Sequence, residues 1–173
     1  MSFAEIVILA TIMKRGKHGY EIKKSAERIF GDTHTINNNT LYANLHKFQG
    51  MGAVKSEVQP VRGKPDRHVY SITETGREIF RDLVLDFTPE SARNDVDFYA
   101  RVAFFHLLEP AERIKILQTR KSVMEERTDR YGKLRETCLA RNLGYEEKVV
   151  GFMREQAKNE LEWIASIESA IEK

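Results

Sequence analysis

Apolar and polar positions alternate along this chain with two different periods, and the change of period divides it. Residues 3 to 13, FAEIVILATIM, place Ile6, Leu9, Ala10 and Met13 on one helical face, and the polar stretch KRGKHG then interrupts the pattern, which predicts a first helix. A second short stripe, Ile22, Ala26, Ile29 and Phe30, ends at Gly31 and Asp32. Leu41, Leu45 and Phe48 stand at i, i+4 and i+7 and predict a third helix over 38 to 51, with Asn37 a candidate N-cap and Gly52 the stop signal. Beyond it AVKSEVQPV and RHVYSIT alternate as strands do, around the Gly- and Pro-bearing RGKPD, and so predict a β-hairpin with a basic tip. A fourth helix follows, ending near Phe87, with Thr75 and Glu78 spaced as a capping box.

The rest reads as helix throughout. NDVDFYARVAFFHLLE is a dense apolar segment, and Pro110 suits the first position of a helix running to about 140. Leu117, Met124, Tyr131 and Cys138 repeat every seven residues on it, while Lys121, Thr128 and Arg135 fall at the partner positions and argue against a pure zipper. A last helix from Tyr145 to Ile171 carries Val150, Met153, Ala157, Leu161 and Ile164. Stripes this long pack either against a second copy of the chain or into an intramolecular three-helix bundle, and the second copy is the expectation here. The predicted division is a small α/β unit over 1–85 and a helical dimerisation domain over 90–173.

Composition narrows the function. The chain has 173 residues with a net charge of only +2, but residues 1–80 carry 12 Lys and Arg against 8 Asp and Glu, and the remainder 16 against 18. Only the first half has the bias of a protein that meets a polyanion. One cysteine, Cys138, excludes an intramolecular disulfide, and on an apolar seam it suits an inert buried thiol better than a redox sensor. The five histidines show neither HxxxH nor HExxH spacing, and the glycines fit neither a P-loop nor a dinucleotide fingerprint. No metal, cofactor or catalytic chemistry is therefore expected. No apolar run reaches the length of a membrane span and the start has no basic leader, so the expected location is the cytoplasm.

Three helices and then a hairpin is the order of a winged helix-turn-helix, whose third helix enters the DNA major groove. At the level of residues, HGYEIKK (His18 to Lys24), TLYANLHKFQGMGAVKSE (Thr40 to Glu57) and RGKPDRHVYSITETG (Arg62 to Gly76) resemble the PadR family of bacterial transcription regulators. NDVDFYARVAFFHLL and the ELEWI around Trp163 resemble the family's longer branch, in which a C-terminal helical domain makes the homodimer. The resemblance implies a mainly α fold with a small hairpin wing, double-stranded DNA and a second copy as partners, and usually repression. Ala43 stands where the family commonly has proline, and Asn39 where it often has a small residue, so operator preferences do not carry over. The alternative is a winged protein-interaction module without an operator.

On this reading Asn38, Asn39 and Thr40 are candidates for base contacts, since an asparagine amide can pair with adenine N6 and N7, although an amide there can equally cap the helix or hold the loop. Tyr42 offers either a hydroxyl to a phosphate or a ring to the hairpin, and Lys47 lies on the polar face. Arg62, Lys64 and Arg67 at the hairpin tip suit phosphates or the minor groove, with Tyr20 and Lys23 as further phosphate ligands. The family often responds to phenolic acids or planar aromatic compounds. Phe98, Tyr99, Phe104, Phe105 and Trp163 are accordingly candidates for an effector pocket, with Arg101 or His106 as a polar partner, against the plainer reading that the aromatics are core.

Overall fold

The computed structural model describes residues 3–32, 34–60 and 67–172. They form α1 (Phe3–Thr11), β1 (Lys17–His18), α2 (Gly19–Phe30), α3 (Asn38–Gly50), β2 (Val54–Gln59), β3 (Arg67–Ile72), α4 (Glu74–Leu85), α5 (Asp95–Ala103), α6 (Pro110–Ala140) and α7 (Gly144–Ile171), with 3-10 turns at Ser91–Arg93 and Phe105–Leu107. The architecture is mainly helical with one small antiparallel sheet, a winged helix. The chain divides into two compact units, residues 1–86 with 95–107, and 87–94 with 108–173. The helix α5, grouped by sequence with the C-terminal helices, thus lies in the unit of the wing.

In the first unit α1 packs against α2, α3, α4 and α5. Every residue from Ala4 to Met13 is buried, more than the single face that periodicity suggested, because a central helix has neighbours on all sides. The buried Glu5 is matched by Lys47 of α3, 2.5 Å away. Leu41, Leu45 and Phe48 are buried as expected and fix one face of α3 to this core.

The sheet has three strands in the order β1-β3-β2, not the two of a bare hairpin. Lys17 pairs with Tyr70 and His18 with Val69, while β2 and β3 run in register from Val54↔Ile72 to Gln59↔Arg67. A two-residue strand has no period to detect. The cap of α4 is Thr73, whose hydroxyl accepts from Gly76 N at 3.1 Å and donates to Gly52 O at 2.7 Å. This corrects the expected Thr75 capping box: the end of β3 delivers Thr73 to the cap position and leaves Thr75 inside the helix. Arg101 of α5, 1% exposed, donates to the carbonyls of Leu83, Val84 and Asp86 and thereby satisfies the C-terminal end of α4.

In the second unit α6 and α7 are antiparallel, joined through Asn142 in the left-handed region (φ 54°), which asparagine tolerates. Two of the three polar positions that disfavoured a zipper find partners across this pair, Lys121 with Glu168 at 3.2 Å and Arg135 with Glu147 at 2.5 Å, whereas the buried Thr128 hydroxyl has no hydrogen-bond partner among the described residues. Arginines also cross over glycines. Arg154 of α7 lies along Gly132, and Arg135 of α6 along Gly151. An added Cβ would sit 3.5 Å or more from those side chains, an ordinary contact. Gly132→Ala and Gly151→Ala should therefore each stabilise the helical pair by about 1 kcal/mol through helix propensity, read as a higher unfolding midpoint. A lower midpoint would show that the crossings need the missing methyl.

Candidate nucleic-acid interface

The leading end of α3 separates its amides by job. Asn37 is the N-cap, its Oδ1 accepting from Thr40 N at 2.8 Å. Asn44 donates its amide to Thr40 O within the helix, also at 2.8 Å. Asn38 and Asn39 are exposed, and Thr40 is half-buried beside them.

Two adjoining hollows flank this end. One, of about 260 Å3, is lined by Tyr20, Lys23, Asn38 and Tyr42 among others. The second, of about 520 Å3, shares Tyr20 and Tyr42 and adds His18, Arg67, His68 and Tyr70. Tyr20 is 63% and Tyr42 44% exposed. A Cβ at Gly19 would lie 2.9 Å from the Tyr42 hydroxyl, so a side chain there would displace the partly exposed Tyr42 ring from its place beside the start of α2.

The polar groups around these hollows hold one another. His18 N donates to Glu21 Oε2 at 2.9 Å and closes the N-terminus of α2. His18 Nδ1 lies 3.1 Å from His68 O, and His68 Nδ1 lies 3.0 Å from Ser56 Oγ. The rings of His68 and Tyr70 stack at 6.2 Å. Burial pushes the Tyr70 hydroxyl above its ordinary pKa, with Tyr42 adding to the shift, so it remains a neutral donor. The Lys24 ammonium lies 4.9 Å over the Tyr20 ring, and its interaction with Tyr20 holds its pKa above the ordinary lysine value.

Of the residues singled out from sequence, Tyr20, Lys23, Asn38, Asn39, Thr40, Tyr42 and Arg67 gather at this surface. Lys47 is drawn back to Glu5 in its ion pair. Arg62 and Lys64 lie outside the described residues. His18, His68 and Tyr70 were not singled out, although the period-two alternation of RHVYSIT already set His68 and Tyr70 on one face. Of the aromatic cluster, Phe98, Phe104 and Phe105 are buried in the first unit and Tyr99 is half-buried with its ring 5.9 Å from that of Phe98. Trp163 belongs to the other unit, 40% exposed. The Arg101 guanidinium is committed to backbone carbonyls. Among the described residues no group of His, Cys, Asp or Glu is placed to hold a metal, and no helix is long and apolar enough to cross a membrane.

Residues 8–82 match the model of the transcriptional regulator PadR-like family. Among solved structures, PadR of Bacillus subtilis in complex with operator DNA is 18% identical, covering 99% of this chain and 98% of its own, with a TM-score of 0.48. The same protein in complex with p-coumaric acid gives 18% identity, 99% and 100% coverage and a TM-score of 0.44. A transcriptional regulator from Thermoplasma acidophilum is 29% identical over 46% of this chain and 74% of its own, with a TM-score of 0.41. No curated protein matches. The matched span runs from within α1 to within α4 and takes in the whole surface described above, and over these residues the chain is similar to the transcriptional regulator PadR-like family.

Proposed function

We propose that this regulator acts as a homodimer that represses transcription from an inverted-repeat operator, with α3 in the major groove. The observation that carries the proposal is that Asn37 already caps α3, which leaves the exposed Asn38 and Asn39 with no helical task. Tyr20, Lys23, Tyr42 and Arg67 around them supply hydroxyls and cations suited to phosphates. Arg62 and Lys64, in the sequence between β2 and β3 and outside the described residues, are cations of the same kind. Two copies of α3 would then address half-sites about one helical turn, on the order of 34 Å, apart or a multiple of that.

Titration against the DNA upstream of its own gene at two salt concentrations tests this. Arg67→Ala should lower the slope of log affinity against log salt by about 1 and weaken all sequences alike, whereas Asn39→Ala should relax discrimination at one base pair by about 1–3 kcal/mol. Binding with neither sequence preference nor salt slope would instead favour a winged protein-interaction module.

Support for the second copy comes from the helical unit. Leu134, Leu139, Tyr145, Val149 and Phe152 are all exposed around the α6–α7 turn, more apolar surface than scattered singles explain. Phe152→Glu should shift the protein toward monomer in light scattering and lower operator affinity with it. A small aromatic effector, phenolic or planar, belongs to the same proposal. A thermal-shift series beginning with p-coumaric acid tests it, and no stabilisation across the series would point to a regulator without such an effector.

A further inference from the structure

His18 stands where the sheet, α2 and the larger hollow meet. It is the second residue of β1, directly precedes α2, and is half-buried beside the hollow of about 520 Å3 that it lines. Its Nδ1 lies 3.1 Å from His68 O. A carbonyl oxygen only accepts, so Nδ1 carries the proton of this bond and the tautomer of the neutral ring is fixed. Nε2 of that ring is then a bare lone pair, with no hydrogen-bond partner among the described residues. An acceptor at that atom does not bond a phosphate oxygen. A second proton turns it into a charged donor without turning the ring, because the bond from Nδ1 to His68 O persists in both states.

Around the ring stand Tyr20 and Glu21 of α2, Tyr42 of α3, and Arg67, His68 and Tyr70 of β3. Glu21 accepts from His18 N at 2.9 Å, so a carboxylate lies close by to offset the positive charge of Arg67. Lys17, the neighbour in β1, donates instead to Ser25 Oγ at 2.9 Å. Of these residue types only histidine changes charge between pH 8 and pH 6. The Nδ1 of His68 faces Ser56 Oγ, which either gives or takes a proton, so nothing fixes that ring's tautomer and its Nε2 does not depend on acid to become a donor.

We infer that His18 is a proton-dependent phosphate ligand of the DNA: neutral, its Nε2 offers the backbone no donor, and protonated it adds one contact beside Tyr20 and Arg67. This role rests on the reading of the surface as the DNA-binding face. Protonation and DNA then favour one another, so affinity rises as pH falls from 8 to 6, and the gain is screened by salt. The protein holds its DNA more tightly in acid.

Titration of the full chain against duplex DNA from upstream of its own gene, over a range of salt at pH 8 and at pH 6, reads this contact. In the wild type the slope of log affinity against log salt should steepen by about 1 at the lower pH. His18→Asn keeps an amide N–H near the place of Nδ1 and has no atom at Nε2, so it should keep its unfolding midpoint and show no steepening. His18→Gln, whose neutral amide reaches the Nε2 position, should be equally insensitive to pH and keeps the test decisive if the asparagine variant is destabilised. His46→Gln, at an exposed position of α3, removes a different histidine and should steepen as the wild type does. A wild-type slope equal at both pH values overturns the proposal, as does steepening in the His18 variants or its loss in His46→Gln. Any of these leaves the regulator reading standing, whereas no salt slope at either pH overturns that reading too.

Discussion

Gly76→Ala should destabilise the winged unit by about 3 kcal/mol, the upper range for overpacking, because the new methyl has nowhere to go. A Cβ at Gly76 would fall well inside contact distance of the Ala53 carbonyl oxygen and 2.7 Å from Ile72 Cγ1. The first obstacle is backbone, so no rotamer change relieves it. Ala53 O also accepts from Thr73 N at 3.0 Å, so moving it would disturb the junction where β2, β3 and α4 meet. Chemical denaturation checks the prediction. Gly144→Ala, a helical glycine whose Cβ would meet nothing within 4 Å, provides the control and should be neutral or mildly stabilising. Equal behaviour of the two variants would sink the steric argument.

Arg120→Ala should cost about 3–5 kcal/mol in the helical unit, the range for removing one partner of a buried ion pair. Arg120 is 0% exposed and meets Glu160 through two bonds, Nε to Oε1 at 2.6 Å and Nη2 to Oε2 at 2.9 Å, while Nη1 donates to Ala92 O. Truncation leaves a shielded carboxylate and a buried carbonyl without this donor. The cost belongs to the orphaned groups more than to the pair, so Arg120→Met combined with Glu160→Leu should recover most of it. A double-mutant cycle on unfolding free energies measures this. A single-variant loss under about 1 kcal/mol would mean that water reaches Glu160 freely.

Both predictions fall on residues that sequence reasoning passed over. In the sequence Gly76 marks only the end of the RGKPDRHVYSITETG block, and Arg120 is one charge among many on a long helix. A glycine made necessary by a carbonyl from residue 53, or an arginine made necessary by residues 92 and 160, leaves no periodic trace. Thr73 and Thr75 show the same limit at short range: both fit a cap by composition, and the end of β3 chooses between them. The interface was more legible. Leu41, Leu45 and Phe48 orient α3 through their spacing, and once that face is buried the polar leading end points outward. Which asparagine caps was open in the sequence, because three adjacent amides have the same chemistry and differ only in backbone position.

By itself, the sequence determined the existence and order of the helices and the hairpin, the outward face of α3, and through its motifs the PadR-like character of the first half. These depend on local periodicity and on side-chain types in fixed spacing, which a linear chain records. Tertiary structure alone decided the third strand, the burial of α1 on all sides, the membership of α5 in the winged unit, and the arginines that close carbonyls and carboxylates far along the chain. Those depend on which surfaces meet, and a buried charge or a missing methyl acquires its meaning only from the atoms placed opposite it.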